Sequence, residues 1–326
     1  NTYGGGPAVL SGLESAGQMR NVSLFFDNAP SLELPGMDLT GDLTVDVPNG
    51  FITQADEILV AGDAEFDIDS TLDITLDDPD NDFNDILFEQ ANDVTLVDTD
   101  GFNFHSYYDG SHHYTDITGD LTVTAGGDVT QTSSAFGIRV DGLSQFTMGS
   151  NDLSLNYDPY NQFNQIQIVS ANNVDISTTT DVELLTSTID GTFQLDSDNG
   201  DDLTQAASSV ITTAGNTLFR DFRNITLDET GNVLGDLQVQ VSTGYSGTTS
   251  IREDDAITQS ASWGTSSQTV NLTTSDDQAI TLDQAGNVFG NLGITQINDG
   301  NATPGAVLIR ENSAVTQSGD WTTHGD

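Results

Sequence analysis

Three of the four histidines of this 326-residue chain, His105, His112 and His113, fall within residues 102–116, FNFHSYYDGSHHYTD, beside Tyr107, Tyr108 and Tyr114. Imidazoles at this density could hold a transition metal, although neighbours such as His112 and His113 point to opposite sides of an extended chain. Aromatic rings beside acids also suit stacking on sugars or contact with an aromatic protein surface. A self-packed hairpin would use the same residues for structure alone. All three readings stay open on the sequence.

Two Asp-rich turns offer a different chemistry. DDPDND supplies Asp77, Asp78, Asp80 and Asp82, and DSDNGDD supplies Asp196, Asp198, Asp201 and Asp202. Ca²⁺ takes six to eight oxygen ligands, so such turns are candidate calcium sites. The second is one residue short of an EF-hand loop and has no Glu twelfth in line. The competing reading is a solvated acidic face, and no cofactor is required by either.

Enzymatic signatures are sparse. There is no Cys nucleophile, no GxSxG elbow and no phosphate loop. Acids are so common that no spacing singles out a carboxylate pair for glycoside hydrolysis. The basic side chains are six arginines, among them Arg220 and Arg223. Together with acid-held Ca²⁺, these leave a polysaccharide lyase, or another carbohydrate-active or carbohydrate-binding protein, as the alternative to a non-enzymatic role.

The elements that must position these residues repeat. Four copies of one segment begin at Ile74 (ITLDDPDNDFND), Leu153 (LSLNYDPYNQFNQ), Ile225 (ITLDETGNVLGD) and Ile280 (ITLDQAGNVFGN). Each carries an asparagine, at Asn81, Asn161, Asn232 or Asn287, then a large apolar residue two positions on, at Phe83, Phe163, Leu234 or Phe289. The expected roles are a turn amide hydrogen-bonding along a stack and an inward plug. The next residue in each copy is Asn84, Asn164, Gly235 or Gly290. Exchange of Gly with Asn predicts a bend with positive φ there. Two further markers recur: GDLTV-like pieces at Gly41, Gly119, Gly191, Gly235 and Gly290, and an apolar-Thr-Gln piece ending at Gln54, Gln131, Gln205, Gln259 and Gln317.

Spacing converts the markers into a fold. About 20 to 23 residues separate the Thr-Gln marker from the following ITL marker, the length of one coil of three short strands and three turns. The expectation is an all-β parallel β-helix of about fifteen coils, a rod on the order of 70 Å long at the inter-strand spacing. In DITLDD, alternation sends Ile74 and Leu76 inward and Thr75 outward. A tandem β-sandwich array is the competing fold. The markers divide one continuous solenoid into partial coils over 1–40, repeats over 41–118, 119–190, 191–234 and 235–289, and a partial repeat over 290–326. The His/Tyr stretch at 102–116 is an insertion in the first of these.

Charge limits the partners. There are 51 Asp plus Glu against 6 Arg, no Lys and no Cys, for a formal charge of −45. Nucleic acid and anionic membrane surfaces are bound through cationic side chains, so neither is expected as a partner. No apolar run reaches the roughly 20 residues of a membrane span. The acid is 42 Asp and 9 Glu, a bias toward turns and away from helices. The chain begins at Asn1 without Met, which is expected of an excerpt from a longer protein.

The segments GDLTVTAGGDVTQTSS at Gly119, ITLDQAGNVFG at Ile280 and ANDVTLVDTDG at Ala91 resemble the repeat region of filamentous-haemagglutinin-like exoproteins. These are large Gram-negative adhesins of the two-partner-secreted or autotransported type. The resemblance implies a right-handed β-helix, an extracellular or cell-surface location and a role in adhesion or matrix building. The resulting expectation is a non-enzymatic rod that self-associates into filaments, with Ca²⁺ as a possible bridge, or contacts a host or neighbouring cell surface or a polysaccharide.

Overall fold

The computed structural model describes residues 8–10, 19–109, 111–132, 137–156, 160–198, 200–242, 244–275, 278–297 and 305–323. No helix occurs among them. Short strands stack in parallel as the coils of a β-solenoid, about 12 turns in all. That is fewer than fifteen partly because some coils exceed the expected length. One coil runs 20 residues from Ile74 to Val94, but the next runs 27 from Val94 to Leu121. The parallel ladders exclude a sandwich array of antiparallel sheets.

The chain divides into two compact units, 1–165 and 166–326. In the first, Val22–Phe25 pairs with Leu43–Val47, which pairs with the second half of Ile58–Ile68. On another side of the coil, Ile74–Leu76 pairs with Val94–Asp98 and that strand with Leu121–Ala125. In the second unit, Val174–Thr178, Phe193–Ser197, Asn216–Arg220 and Asp236–Gln240 form one ladder. Asp202–Gln205, Asn224–Leu227, Thr248–Glu253 and Gly264–Thr274 form another.

These segments become strands because apolar and polar residues alternate with a period of two over three to five positions. Ile74 and Leu76 are buried and Thr75 is half-buried, as the pattern requires. Stacking then places like on like, and the register sets Val45 on Phe66 and Phe66 on Phe88. The Phe66 and Phe88 rings stack at 5.6 Å, and Phe66 meets Phe83 edge-on at 6.4 Å. In the second unit Phe193 meets Phe219 at 5.8 Å and Trp263 meets Phe289 at 6.0 Å. Phe83, Phe163, Leu234 and Phe289 are all buried, so the plug assignment holds.

The bend expected after each plug forms once. Gly235 has φ +60°, whereas Asn84, Asn164 and Gly290 lie inside the strands Asp82–Gln90, Gln162–Ser170 and Val288–Gln296. The backbone keeps pairing with its neighbours past the plug, which leaves no room for a left-handed residue. In two copies a left-handed residue precedes the asparagine: Gly231, in the same copy as Gly235, has φ +92° and Gly286 φ +103°. There it reverses the chain so that the asparagine side chain enters the core.

Candidate functional site

The four asparagines are fully buried, and each forms a two-way amide pair with a glutamine of the preceding coil. Asn81 Nδ2 donates to Gln54 Oε1 at 2.9 Å, and Gln54 Nε2 donates back to Asn81 Oδ1 at 2.8 Å. Asn161 pairs in this way with Gln131, Asn232 with Gln205 and Asn287 with Gln259, all at 2.7–3.0 Å. The same asparagine oxygen accepts a backbone N–H from Ile58, Ile138, Ile211 or Trp263. For Asn81, Asn232 and Asn287 the amide nitrogen also reaches a carbonyl of the following coil, at Val97, Arg252 and Arg310 respectively. One side chain therefore ties three successive coils. The Thr-Gln and asparagine markers of the sequence are the two halves of one contact.

A second buried element recurs beside it. The N–H of the plug donates to a carboxylate of the following coil: Phe83 to Asp98 Oδ2 at 2.8 Å, Leu234 to Glu253 Oε2 at 3.1 Å and Phe289 to Glu311 Oε2 at 2.9 Å. Burial pushes the Asp98 carboxyl up to about 7 and the Glu253 carboxyl up to about 8, against the opposing pull of the donated N–H. These acids were not legible as special among 51. Both recurring features serve the fold, which leaves the interruption of the repeat as the place to look for function.

That interruption is a hairpin of the first unit. Tyr107–Tyr108 and His112–His113 pair antiparallel, with Tyr107 opposite His113 and Tyr108 opposite His112. Two faces result. On the inner face the Tyr107 and His113 rings stack at 4.3 Å and 8°, and Tyr107 Oη donates to Glu65 Oε1 at 3.1 Å. Burial, and next to it the Glu65 charge, push the Tyr107 phenol up to about 12. On the outer face Tyr108 is 64% exposed, and its ring lies 5.1 Å from that of exposed His112. His105 stacks on Tyr107 at 5.8 Å. Tyr114, half-buried, follows the hairpin.

The three histidines do not converge on one ion, because the hairpin sends His112 and His113 to opposite faces. His113 instead meets two glutamates of the solenoid wall. Its Nδ1 lies against Glu89 Oε1, its Nε2 is 3.2 Å from Asp109 Oδ1, and Glu65, Glu89 and His113 each bring a ligand atom within 4.8 Å of the other two. Glu65 lies in the strand Ile58–Ile68. Glu89 is the extra residue of a bulge, since Phe66 faces Phe88 while Asp67 faces Gln90. Bulges re-aim side chains, and this one turns Glu89 toward the hairpin. The glutamates lie 48 and 24 residues before His113, so only the coil register could have revealed them.

Among the described residues no other group of three His or acidic ligand atoms lies so close together. The Asp-rich turns thus do not gather their carboxylates around a point. In the first, Asp78 Oδ1 accepts the Asp80 N–H at 3.0 Å, closing a local turn, while Asp77 and Asp82 are exposed. In the second, Asp196 pairs with Arg220 and Asp202 with Arg223, both at 2.9 Å, and Asp201 bonds Ser197. Asp198 lies in the same turn, with one carboxylate oxygen buried. Arg220 and Arg223, the candidate basic groups of a lyase, are committed to these acids. Burial still holds the Asp196 carboxyl up at about 6, despite the Arg220 charge.

No curated protein and no solved structure matches the chain. One family model does, four times, over residues 19–87, 91–170, 171–240 and 235–296. Each matched span holds one Gln–Asn pair and the plug that follows it. The chain accordingly belongs to the family described as repeats of unknown function (DUF5649).

Proposed function

We propose that this chain is a non-enzymatic, extracellular structural and adhesive segment, of the kind found in filamentous-haemagglutinin-like surface proteins. In this reading the solenoid is scaffold, and recognition resides in the hairpin that interrupts it. The observation that carries the reading is the outer face of that hairpin. Tyr108 and His112 stand exposed on a rigid wall whose own repeated features are buried and committed to one another. Loops held on a rigid scaffold are where recognition concentrates, and an exposed tyrosine beside an imidazole suits a sugar ring or an aromatic protein surface. A chain with 51 acids and a formal charge of −45 repels its own copies, so lateral assembly into filaments needs screening salt or bridging Ca²⁺.

Binding of the chain to immobilised polysaccharides and to cell surfaces tests the adhesive part. The double variant Tyr108→Ser, His112→Ser is expected to lose binding while keeping its circular dichroism. Binding unchanged by that variant would remove the hairpin from the function. Electron microscopy with and without Ca²⁺ tests assembly: fibres that form only with Ca²⁺ are expected, and discrete particles in both conditions refute self-association.

A further inference from the structure

We propose that Glu65, Glu89 and His113 form a binding site for a divalent transition-metal ion of the zinc class, seated between the hairpin and the solenoid wall. The donor set is one imidazole nitrogen and two carboxylates, with ligand atoms within 4.8 Å of one another. Bonds of about 2.1 Å to a tetrahedral ion separate its ligands by about 3.4 Å. An imidazole in the set favours Zn²⁺ and its first-row neighbours over Ca²⁺ and Mg²⁺, which take oxygen. Three protein ligands leave a fourth position for water.

Two independent features mark the cluster as built for an ion. The first is the orientation of His113. Its ring is fixed by the stack on Tyr107, and Asp109 accepts from Nε2, which in the neutral imidazole places the proton there and the lone pair on Nδ1, toward Glu89. A carboxylate behind a ligating histidine is the usual orienting partner in metal sites. The second is charge. Glu89 Oε1 is buried, with no hydrogen-bond partner beyond its contact with His113 Nδ1, and an imidazole lone pair set against a carboxylate is repulsive unless a proton or a metal ion lies between them. Acids gathered this closely call for a cation, and among the described residues the ion-paired arginines pair with Asp116, Asp141, Asp196 and Asp202 and not with these glutamates.

The site is independent of the adhesive reading and is tested without it. The purified chain, stripped with EDTA, is titrated with Zn²⁺ by calorimetry in high NaCl with excess Ca²⁺, which occupies the scattered surface acids. One tight equivalent is expected. His113→Ala and Glu89→Gln are expected to weaken it at least 100-fold, Asp109→Asn about 10-fold or more, and His112→Ala not at all. Co²⁺ in place of Zn²⁺ should give the visible absorption of a low-coordinate nitrogen-and-oxygen site, lost in His113→Ala. Circular dichroism separates loss of the site from loss of the fold, and Glu65→Gln serves if His113→Ala fails to fold. Equal affinity in the wild type and in the folded His113 or Glu65 variant would overturn the proposal, as would the absence of any tight equivalent, which would mean that a proton alone bridges His113 and Glu89.

Discussion

Replacing Asn287 by alanine tests whether the buried amide pair holds the coils together, and the structure sets the size of the effect. The Asn287 oxygen accepts from the Trp263 N–H at 3.0 Å and from Gln259 Nε2 at 2.9 Å, while its nitrogen donates to Gln259 Oε1, Leu282 O and Arg310 O at 2.9–3.0 Å. Several partners survive the change. Gln259 keeps the Ala261 carbonyl at 2.7 Å and the Gln284 N–H at 3.0 Å, and the Leu282 carbonyl keeps the Arg310 N–H at 2.8 Å. The group left stranded is the buried Trp263 N–H. An orphaned buried donor costs about 1–3 kcal/mol; of the four other lost bonds, three leave a partner that keeps another bond and the fourth leaves the carbonyl of exposed Arg310, so they sit at the low end, about 1–2 kcal/mol in all. Together these give roughly 2–5 kcal/mol. Trp263 is fully buried, with Nε1 on the Leu237 carbonyl at 3.0 Å, so its emission reports the same coil. The only other tryptophan, Trp321, is 37% exposed and emits further to the red. With a slope of about 2 kcal/mol/M, the urea midpoint of the blue-shifted emission should fall by about 1–2.5 M. A midpoint within about 0.3 M of wild type, with Trp263 emission unchanged, would show that the amide pair is not what fastens the coils.

The raised carboxyls give stability an uncommon pH dependence. Asp98, Asp196 and Glu253 bind protons more tightly folded than unfolded, so each contributes stability that is full below its ordinary value near 4 and is lost as pH rises through about 7, 6 and 8 respectively. The melting temperature should fall between pH 5 and 8.5, and Glu253→Gln should flatten the upper part of that fall; a rise over the same range would contradict it. Phe83→Ala, in the aromatic stack with Phe66, should cost about 3–5 kcal/mol in chemical denaturation, and less than 1 kcal/mol would mean the plug is not packed as described. Gly231→Ala forces a side chain onto φ +92° and sets its Cβ 3.1 Å from Val210 Cγ2. A loss of about 1–2 kcal/mol is expected, and no loss would place the left-handed turn elsewhere.

The solenoid was legible because its markers recur at the length of a coil, and a period survives even where charge is extreme. The asparagines and plugs were legible as structural for the same reason. What lay hidden was partnership. The Thr-Gln marker was visible, but nothing local in Gln54 or Gln259 says that its amide meets one 27 or 28 residues later. Asp98 and Glu253 look like any other acids until the coil above places them over a plug N–H. The bend failed at Asn84, Asn164 and Gly290 because residue type carries a conformational preference while strand pairing decides the conformation. For the hairpin, turn chemistry and alternation suffice to set Tyr107 and His113 on one face. Glu65 and Glu89 needed the register and a bulge, neither of which the sequence marks.

The reach of each asparagine also bears on where the chain can be cut. A family repeat ending at residue 240 contains Asn232 and Leu234, but Asn232 donates to the Arg252 carbonyl and Leu234 donates to Glu253, both beyond that border. The unit that is copied in sequence is therefore shorter than the unit that satisfies its own polar groups. A fragment excised at the family boundary would carry an open seam at its last coil, whereas one extended through residue 254 would close it. Soluble pieces of this family should be framed one coil past the repeat, and a matched pair of fragments ending at 240 and 254 would differ in stability by the worth of that seam.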